Sequence, residues 1–330
     1  MILVIGGAGF IGSHMVKCLL GHGEDVLVMD TLEKGHRAAV MGGAFVEGDV
    51  RKPADLQRVF RLYSVECVMH FAAYASVGDS VRNPSAYYEN NVLGCFTLLE
   101  AMRAHGISQM IFSSSAAVYG EPSEIPIPED HTKDPTNPYG ETKLIMEKML
   151  QWYDVAYGIR SISLRYFNAA GADPEGRIGE DHRPEEHLIP VALMTALGKR
   201  EKLGIFGTDW PTPDGTCIRD FIHVDDLAEA HYLTLGALRQ GGKTTAYNLG
   251  SGQGFSVKQV VEVVEKVTGR KVPLQNLARR PGDPARLVAS SARIREECGW
   301  RPAHADLETI VAHAWNWRRA NPDGYRDNSR

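Results

Sequence analysis

The chain has 330 residues, of which 43% are hydrophobic and 23% are charged, and its formal net charge is −5. This mild acidity argues against nucleic acid or an anionic membrane as the main partner, because both attract basic surfaces. No apolar run approaches the ~18 residues that a membrane helix needs, and the hydrophobic start lacks the basic leader of a signal peptide. The five cysteines are scattered and form no C-x-x-C pair, which favours a reduced, cytoplasmic chain.

Short apolar runs alternate with longer amphipathic segments through the first half of the chain. The runs predict strands at 1–6, 25–30, 67–73, 110–115 and 161–167. They show almost no alternation of polar and apolar residues, which is typical of strands that are covered on both faces. This order of elements predicts an α/β fold with a doubly wound, parallel sheet of the Rossmann type.

The sequence after Asn168 has a different composition. Residues 168–187 are rich in Gly, Pro and charged residues, and they predict a smaller, loop-rich lobe over the sheet. A helix at 223–238 and a strand at 247–250 are predicted to return to the main sheet.

A glycine-rich stretch, "GGAGFIG" at 6–12, follows the first predicted strand and precedes a helical pattern that ends at Gly21 or Gly23. Glycines there let the chain turn tightly and let its backbone approach a pyrophosphate. The N–H groups at the start of a helix favour the phosphates further. Asp30 lies 18 residues beyond Gly12. A carboxylate there would bind ribose hydroxyls and repel a 2′-phosphate, so the pattern predicts NAD rather than NADP.

Two strand-end acids each allow a second interpretation. Asp30 could cap the next helix instead of binding a ribose. Asp49, in "VEGDV", is predicted to end a further strand between 25–30 and 67–73, where the adenine would lie, and it could instead cap the helix that begins at "KPADL". For Asp49 both roles could hold at once.

The stretch "NPYGETK" at 137–143 predicts a helix that begins near Tyr139, because Pro138 disfavours helical backbone at the residue before it. Tyr139 and Lys143 then lie one turn apart on one face. An ammonium near the phenol would lower its pKa from about 10 and make it a general base near neutral pH, and a positively charged nicotinamide would add to this. Taken alone, this spacing is more often structural.

Three serines, Ser113, Ser114 and Ser115, lie at the carboxyl end of the strand predicted at 110–115. Ligands of a parallel sheet bind at that edge, and a serine hydroxyl there can hydrogen-bond a substrate oxygen. A plain polar loop is the alternative for the serines alone. The glycine turn, Asp30 and the Tyr–Lys pair together favour a cofactor site.

The chain resembles, nearly end to end, the extended short-chain dehydrogenases/reductases, and within them the UDP-glucose (UDP-galactose) 4-epimerases. The stretches that carry the resemblance are "GGAGFIGSH" (6–14), "HFAA" (70–73), "YYENNV" (87–92), "FSSSAAVYG" (112–120), "NPYGETK" (137–143), "RYFNAAGA" (165–172), "RDFIHVDDLA" (219–228) and "RRPGDPA" (279–285). The glycine and Tyr–Lys stretches mark the superfamily. The serine strand, "RYFN" and "RDFIHV" are more specific to the epimerases.

The resemblance implies an NAD-dependent isomerase that inverts C4 of a UDP-hexose through a transient 4-keto sugar. Tyr139 would be the acid/base, Lys143 would tune it and bind the nicotinamide ribose, and Ser115 would hold the sugar hydroxyl. Tightly bound NAD would also contact Gly6, Gly9, Phe10, Ile11, Asp30, Thr31, Asp49, Val50, Phe71, Ala72, Ala73, Asn90 and Phe167. The UDP-sugar would contact Asn168, His187, Leu188, Phe206, Arg219, Arg280, Asp283 and Leu287.

The resemblance also implies a domain division and an assembly. Residues 1–167 would form the NAD-binding domain, with 223–250 returning to it. Residues 168–222 and 251–330 would form the UDP-sugar-binding lobe. Related enzymes are commonly homodimers, often through two helices that include the one carrying the Tyr–Lys pair.

Other classes on the same fold are disfavoured by particular residues. Sugar-nucleotide 4,6-dehydratases typically carry an Asp–Glu pair just before "VYG", and UDP-glucuronate decarboxylases usually keep the Glu. Ala116 and Ala117 occupy these positions here, so an elimination lacks its acid and base. Asp30 disfavours NADPH-dependent ketoreductases. A non-catalytic NAD-sensing regulator usually loses Tyr or Lys, whereas Tyr139 and Lys143 are both present.

Two positions depart from the commonest epimerase pattern. Many epimerases have a Lys near Ala75 that contacts the cofactor, so the methyl group here could weaken NAD retention. Leu287 occupies the position that borders the sugar 2-substituent. A bulky Tyr there tends to exclude N-acetyl sugars and a small residue admits them, so activity on UDP-GlcNAc and UDP-GalNAc stays open, as does UDP-pentose epimerisation.

The segment "EDHRPEEH" at 180–187 holds two histidines and four acids, a composition that could bind a metal. Pro184 interrupts any helix, however, and the spacing of His182 and His187 does not match the H-E-x-x-H zinc pattern. The prediction is therefore a solvated loop without a metal site. The resemblance places His187 near the uracil or the sugar.

Overall fold

Strands and helices alternate along the computed structural model, which describes residues 1–280 and 282–326. The strands in these residues are β1 (Ile2–Ile5), β2 (Val26–Asp30), β3 (Ala44–Glu47), β4 (Cys67–His70), β5 (Gln109–Ser115), β6 (Arg160–Tyr166), β7 (Asn168–Ala170), β8 (Leu203–Phe206), β9 (Ile218–His223), β10 (Thr245–Leu249), β11 (Gly254–Ser256), β12 (Leu274–Leu277) and β13 (Arg286–Leu287). The α-helices are α1 (Phe10–Gly21), α2 (Pro53–Leu62), α3 (Val77–Arg82), α4 (Pro84–Tyr87), α5 (Gly94–Ala104), α6 (Pro138–Tyr157), α7 (Leu188–Ala196), α8 (Val224–Arg239), α9 (Val257–Thr268), α10 (Ala292–Cys298) and α11 (Leu307–Ala320).

Seven parallel strands form the central sheet, in the order β10-β6-β5-β4-β1-β2-β3. β1 lies in the middle, where Val4 aligns with Val28 of β2 and Met69 of β4. All four residues of β1 are buried, as expected for a strand with helices on both faces of its sheet. This arrangement confirms the predicted α/β fold and its doubly wound parallel sheet.

Helices cover both faces of the sheet with separate hydrophobic cores. On one face Met15 and Leu19 of α1 pack with Leu227 of α8 and the strands beneath them. On the other face α2, α5 and α6 contribute to a second core that includes Leu99 and Met146. α6 therefore runs along the sheet with its first turn beside the carboxyl end of β5, where the Tyr–Lys pair begins.

The second half of the chain adds smaller sheets beside the first. β9 pairs with β11, β13 and β7, and β12 pairs with β8. The helices α7, α9 and α11 bury a third core around Ile189, Val260 and Ile310. β10 pairs with β6 at the edge of the main sheet, after α8. Across 1–280 and 282–326, no helix is both long and apolar enough to span a bilayer.

Candidate active site

The turn between β1 and α1 brings backbone atoms into very close contact. Gly6 has a φ of +80°, and a Cβ on it would lie 2.6 Å from the Ala72 nitrogen. A Cβ on Gly12 would lie 2.1 Å from the Gly6 oxygen. Gly9 is the N-cap of α1 and has no side chain to occupy the first N–H groups of the helix. The turn thus forms an open backbone cradle of the kind that fits the pyrophosphate of a dinucleotide.

Gly12→Ala is expected to weaken NAD binding, because the new methyl group would force the turn apart. Overpacking of this kind costs about 1–3 kcal/mol, which corresponds to about 5- to 150-fold weaker binding of a ligand held by the turn. The measurement is the NAD content of the purified protein. Gly21→Ala is the matched control, since nothing lies within 4 Å of a Cβ at Gly21 in the same helix. Equal NAD content in the two variants would contradict the role of the turn.

Asp30 ends β2 with its carboxylate facing the glycine turn. Its Oδ2 accepts a hydrogen bond from the Ala8 nitrogen at 3.0 Å, and its Oδ1 accepts one from the Leu32 nitrogen at 2.9 Å. Burial raises the pKa of Asp30, and these backbone donors oppose that rise. The carboxylate ties β2 to the cradle rather than capping a helix, and Thr31 follows directly at the same edge of the sheet.

Asp49 lies just after β3, and its carboxylate is bound by a neighbouring arginine. Arg51 Nη2 donates to Asp49 Oδ2 at 2.7 Å, and Arg51 Nε donates to Oδ1 at 2.9 Å. The alternative of a helix cap is wrong, because the N-cap of α2 is Lys52. Val50, beside Asp49, is buried. The contact of both residues with adenine stays a prediction.

α6 begins at Pro138, as the sequence predicts, with Asn137 Oδ1 accepting a hydrogen bond from the Gly140 nitrogen at 2.9 Å. Tyr139 lies in this first turn and Lys143 in the next. Lys143 Nζ donates to the carbonyl oxygen of Ser113 at 2.6 Å, and it lies 5.9 Å from the centre of the Tyr139 ring. Burial lowers the pKa of Lys143 from 10.5 to about 8. The ammonium is thus fixed between the serine strand and the phenol.

The protein alone does not lower the pKa of Tyr139. Burial raises this pKa, and only hydrogen bonding to the Ser115 side chain acts against it. Burial therefore opposes the predicted effect of Lys143, whose ammonium is bound to the Ser113 carbonyl and lies 5.9 Å from the ring centre. A lowering of the Tyr139 pKa by Lys143 stays a prediction.

The shifted pKa of Lys143 predicts a pH dependence of stability. The unfolded chain holds this proton more tightly than the folded chain, so the free energy of unfolding rises between pH 8 and 10.5. Lys143→Met removes this contribution. We expect the stability of the cofactor-free variant, relative to its parent, to fall by roughly 1–3 kcal/mol across that window in urea unfolding.

The control for this experiment is Lys148→Met, which removes an exposed lysine from the same helix. Its stability relative to the parent should stay flat over the same pH range. A parallel trend in both variants would contradict the assignment of the effect to Lys143.

The three serines at the end of β5 have three different roles. Ser113 offers its carbonyl to Lys143. Ser114 Oγ points away from the site and donates to Glu147 Oε1 at 2.6 Å. Ser115 Oγ accepts from the Ala117 nitrogen at 3.2 Å, so its hydroxyl hydrogen can be donated, and in the protein alone it hydrogen-bonds the Tyr139 side chain. Ser115 is therefore the serine that lies with Tyr139, and the following helical turn carries the methyl groups of Ala116 and Ala117.

The remaining predicted cofactor residues surround the cradle and the sheet edge. The Phe71 and Ala72 nitrogens both donate to the Ile5 oxygen, at 2.8 and 3.2 Å, which places them and Ala73 beside the glycine turn. Ile11 lies in the first turn of α1. The Phe167 nitrogen donates to the Leu249 oxygen at 3.3 Å. Ala75 is exposed.

Asn91, next to the predicted Asn90, makes contacts that the sequence does not reveal. Asn91 Oδ1 accepts from the Tyr74 nitrogen at 2.9 Å, and its Nδ2 donates to Thr142 Oγ1 at 3.1 Å. Thr142 Oγ1 in turn donates to the backbone carbonyl oxygen of Tyr139 at 2.7 Å. These bonds fasten the loop after β4 to the first turn of α6. Asn90 Nδ2 donates to Asn91 Oδ1 at 3.0 Å.

A buried ion pair behind the site could also not be predicted from the sequence. Arg165 Nη2 of β6 donates to Glu147 Oε2 of α6 at 2.7 Å, with 3% and 4% of the two side chains exposed. Ser114 joins this pair through Glu147, and Tyr119 does so through its hydroxyl, which accepts from Arg165 Nη1 at 2.7 Å. The pair holds α6 to the sheet one turn beyond Lys143.

Several of the predicted substrate residues meet on β9 and β13. Leu287 aligns with Arg219 in the register of these strands. Arg219 Nη2 lies 3.7 Å from Asp283 Oδ1, and the Asp283 nitrogen donates to the Arg280 oxygen at 3.3 Å. The Arg280 guanidinium lies 3.7 Å from the centre of the Phe206 ring.

Three other predicted substrate residues lie on neighbouring elements. Asn168 begins β7 and aligns with Phe221 of β9. His187 and Leu188 lie at the start of α7, where His187 is the N-cap. The structure thus places one set of predicted residues around Arg219 and a second set at the start of α7.

The segment 180–187 differs from its prediction. Glu180 and Glu185 are buried, with 5% and 4% of their side chains exposed, and both lie close to His182 and His187. Burial acts to lower the pKa of His182, but its interactions with the two glutamates raise it to about 9. The segment is a loop, as expected, and Arg183, Pro184, Glu186 and His187 are exposed. It differs in that the two buried glutamates face the histidines instead of water.

Comparisons with known proteins agree with this geometry. The family model described as "NAD dependent epimerase/dehydratase family" matches residues 2–250. A UDP-glucose 4-epimerase of Halalkalibacterium halodurans is 55% identical over 324 residues, which cover 98% of this chain and 97% of that protein.

Two solved structures are similar to the whole chain. The UDP-glucose 4-epimerase of Brucella ovis in complex with NAD has a TM-score of 0.93 and 50% identity, covering 95% of this chain and 97% of that chain. The UDP-glucose 4-epimerase of Bifidobacterium longum in complex with NAD+ and UDP has a TM-score of 0.93 and 37% identity. The match covers 98% of this chain and 99% of that chain. Since the family model spans most of the chain and these relatives match it almost end to end, the chain belongs to the NAD dependent epimerase/dehydratase family.

Proposed function

We propose that the protein interconverts UDP-glucose and UDP-galactose by inverting C4 of the sugar, with NAD as its cofactor. The observation that carries the proposal is the site at the start of α6. Tyr139, Lys143 and Ser115 meet there at the carboxyl end of β5, and the turn after Ser115 offers only methyl groups at the positions where an elimination would need carboxylates. The similar enzymes of H. halodurans and B. ovis carry the same activity in their names.

Tyr139 is the group that takes the proton from the sugar 4-OH and later returns it. When bound, NAD supplies the acceptor for the two electrons that leave C4, and its positive ring favours the phenolate. Ser115 has a hydroxyl hydrogen available to hold the oxygen at C4 while the proton moves. Lys143, fixed by the Ser113 carbonyl, adds positive charge near the phenol and can bind a ribose hydroxyl.

The second lobe holds the nucleotide while the sugar turns. Arg219 and Arg280 are joined through Asp283, and a planar guanidinium suits a diphosphate because it can bond two oxygens at once. We assign residues 1–167 and 223–250 to the NAD-binding domain, and 168–222 and 251–330 to the UDP-sugar lobe. A sugar held only through its diphosphate can present either face of the 4-keto carbon to the nicotinamide.

The direct test is to incubate the purified protein with UDP-galactose, without added NAD, and to follow UDP-glucose by NMR. We expect conversion in both directions. The proposal fails if no conversion occurs even when NAD is supplied. A 4-keto-6-deoxy product would instead identify a dehydratase.

The range of sugars is a second question for the same assay. Leu287 lies beside Arg219, at the position where the size of the side chain is expected to control the sugar 2-substituent. Running UDP-GalNAc and a UDP-pentose in parallel with UDP-galactose tests whether the enzyme acts mainly on one of these alternatives. Leu287→Tyr should reduce turnover of UDP-GalNAc more than turnover of UDP-galactose.

We infer that the enzyme forms a homodimer through α5 and α6. These helices lie side by side, and Tyr153 Oη donates to Glu100 Oε1 between them at 2.8 Å. The residues just before α5, α5 itself and α6 expose large apolar side chains, namely Leu93, Phe96, Trp152, Val155 and Tyr157. Clusters of exposed apolar side chains commonly mark a protein interface.

Trp152→Glu should convert the dimer to a monomer, because it introduces a charge where 71% of an apolar side chain is exposed. Light scattering after gel filtration gives the mass directly. Leu62→Glu is the matched control, since Leu62 is 70% exposed but belongs to α2 and not to α5 or α6. A parent of single-chain mass, or a dimer in the Trp152 variant, would contradict the inference.

A further inference from the structure

Four metal-ligating side chains meet in the segment between β7 and α7. They are Glu180, His182, Glu185 and His187, and their ligand atoms all lie within 4.8 Å of one another. His187 Nδ1 lies 2.5 Å from Glu180 Oε1 and 3.5 Å from Glu185 Oε1. His182 Nδ1 lies 3.1 Å from Glu180 Oε1 and 3.7 Å from Glu185 Oε2. Two imidazoles therefore face two carboxylates across one small space.

The space lies near the surface, since 36% of the His182 side chain and 55% of the His187 side chain are exposed. The carboxylates of Glu180 and Glu185 are almost fully buried, and buried carboxylates are normally paired or coordinate a metal. His182 Nδ1 is itself buried among them, yet within the described residues it makes no hydrogen bond of acceptable geometry. Protein contacts alone thus leave one ligand nitrogen unsatisfied while it faces two carboxylates.

Backbone hydrogen bonds hold the ligands in this arrangement. The Glu185 carboxylate accepts from the nitrogens of His182, Glu186 and His187 at 3.3, 3.0 and 3.1 Å. These bonds wrap the turn around the carboxylate. The turn brings together His182 and His187, which no helical spacing would pair. A search for the H-E-x-x-H pattern therefore does not find them.

We propose that Glu180, His182, Glu185 and His187 bind one divalent cation of the zinc class. Zn²⁺ takes imidazole nitrogen and carboxylate oxygen at about 2.0–2.2 Å in a tetrahedral arrangement, in which neighbouring ligand atoms lie about 3.3 Å apart. The four ligand atoms lie within 4.8 Å of one another, and the imidazole–carboxylate distances of 2.5–3.7 Å span that spacing.

The position of the site suggests what the ion would do. The His182 ring packs edge-on against Phe10 at the start of α1, with 6.5 Å between the ring centres. His187 is the N-cap of α7. A cation bound between these histidines would fasten the segment that leads into α7 to the helix that forms the dinucleotide cradle. The role is structural and does not depend on the chemistry at C4.

A second group among the described residues could also hold a metal ion. It consists of Cys18, His22 and Glu229 on α1 and α8, and it offers one ligand fewer. Its glutamate is 42% exposed, whereas those of the first group are buried. This group serves as an internal comparison for the experiment.

The test uses untagged holoenzyme that has been dialysed against EDTA and then titrated with Co²⁺. Visible absorption reports tetrahedral coordination of Co²⁺, and Zn²⁺ is then added in competition. We expect one ion per chain. His182→Ala and Glu185→Gln should each weaken Co²⁺ binding at least about 100-fold, because even changes outside the ligand shell cost 10- to 100-fold. Glu186→Gln, with the same charge change in the same loop, should bind like the parent, as should His22→Ala.

Two results would overturn the proposal. One is a parent protein that shows no Co²⁺ absorption and no Zn²⁺ binding at saturating concentrations. The other is binding that survives in His182→Ala and Glu185→Gln, or that is lost in His22→Ala instead. Circular dichroism and Tm of Glu185→Gln, which keeps the shape of the side chain, separate loss of a ligand from loss of the fold. If that variant unfolds, His187→Gln replaces it with the same expected loss.

Discussion

Tyr139→Phe is expected to lower kcat for the interconversion of UDP-galactose and UDP-glucose by about 100- to 10,000-fold, the usual contribution of a positioned acid/base. The change removes the hydroxyl that carries the proton and keeps the ring at the start of α6. NAD content and Tm should therefore stay close to those of the parent. Initial rates by NMR measure kcat, and the absorbance of the cofactor released on denaturation measures the NAD content. Thermal unfolding gives Tm.

Tyr157→Phe is the control for this variant. It removes a hydroxyl from the same helix at its far end, where Tyr157 is 54% exposed, and kcat should be unchanged. A Tyr139→Phe enzyme with parental kcat would show that the proton leaves by another route. If the variant lost bound NAD in parallel with the fall in kcat, the role of the Tyr139 hydroxyl would instead be structural.

Glu147→Gln is expected to destabilise the fold by about 3–5 kcal/mol, because it leaves the guanidinium of Arg165 buried without its carboxylate. The variant keeps the length of the side chain, so the loss reflects the charge. Since Glu147 lies one turn beyond Lys143 and also binds Ser114, we expect kcat to fall as well. Urea unfolding of the cofactor-free protein measures the stability.

Glu100→Gln provides the matched comparison. Glu100 pairs with Arg103 on the surface, with 34% and 46% of the side chains exposed, and such pairs contribute at most about 1 kcal/mol. Glu100 also accepts from Tyr153 Oη, and the amide oxygen of Gln can accept this bond in its place. Adding Arg165→Met to Glu147→Gln should recover part of the lost stability, because it removes the unpaired charge. Equal effects of the two glutamate substitutions would contradict the importance of the buried pair.

Features with a strong local signal could be predicted from the sequence. The apolar runs at 1–6 and 110–115 predict strands, and β1 and β5 lie at Ile2–Ile5 and Gln109–Ser115. Their apolar runs specify a strand that is buried on both faces whatever surrounds it. The start of α6 was equally clear, since Pro138 and the capping side chain of Asn137 act within one turn.

Interactions between distant parts of the chain could not be predicted in this way. Glu147 and Arg165 are unremarkable in the sequence, and only the packing of α6 on β6 makes them a buried pair. Asn91 likewise gains its position from the loop after β4 and from Thr142 of α6. The burial of Tyr139 is likewise visible only in the fold, and it raises the pKa that the spacing to Lys143 predicts to be lowered.

The segment 180–187 shows a second limit of spacing rules. Pro184 excludes a helix, as the sequence indicates, but a non-helical turn can still bring ligands together when its backbone bonds a side chain. Glu185 does this by accepting three backbone N–H groups. Composition identified the residues, and only the folded turn shows that they face one another.

The most direct test of the proposed chemistry uses UDP-galactose that carries deuterium at C4. If C4 is oxidised and then reduced again by the same bound cofactor, the UDP-glucose that forms without added NAD will retain the deuterium at C4, and none will appear in water. Loss of the deuterium to solvent, or formation of UDP-glucose only when fresh cofactor is consumed, would contradict the account.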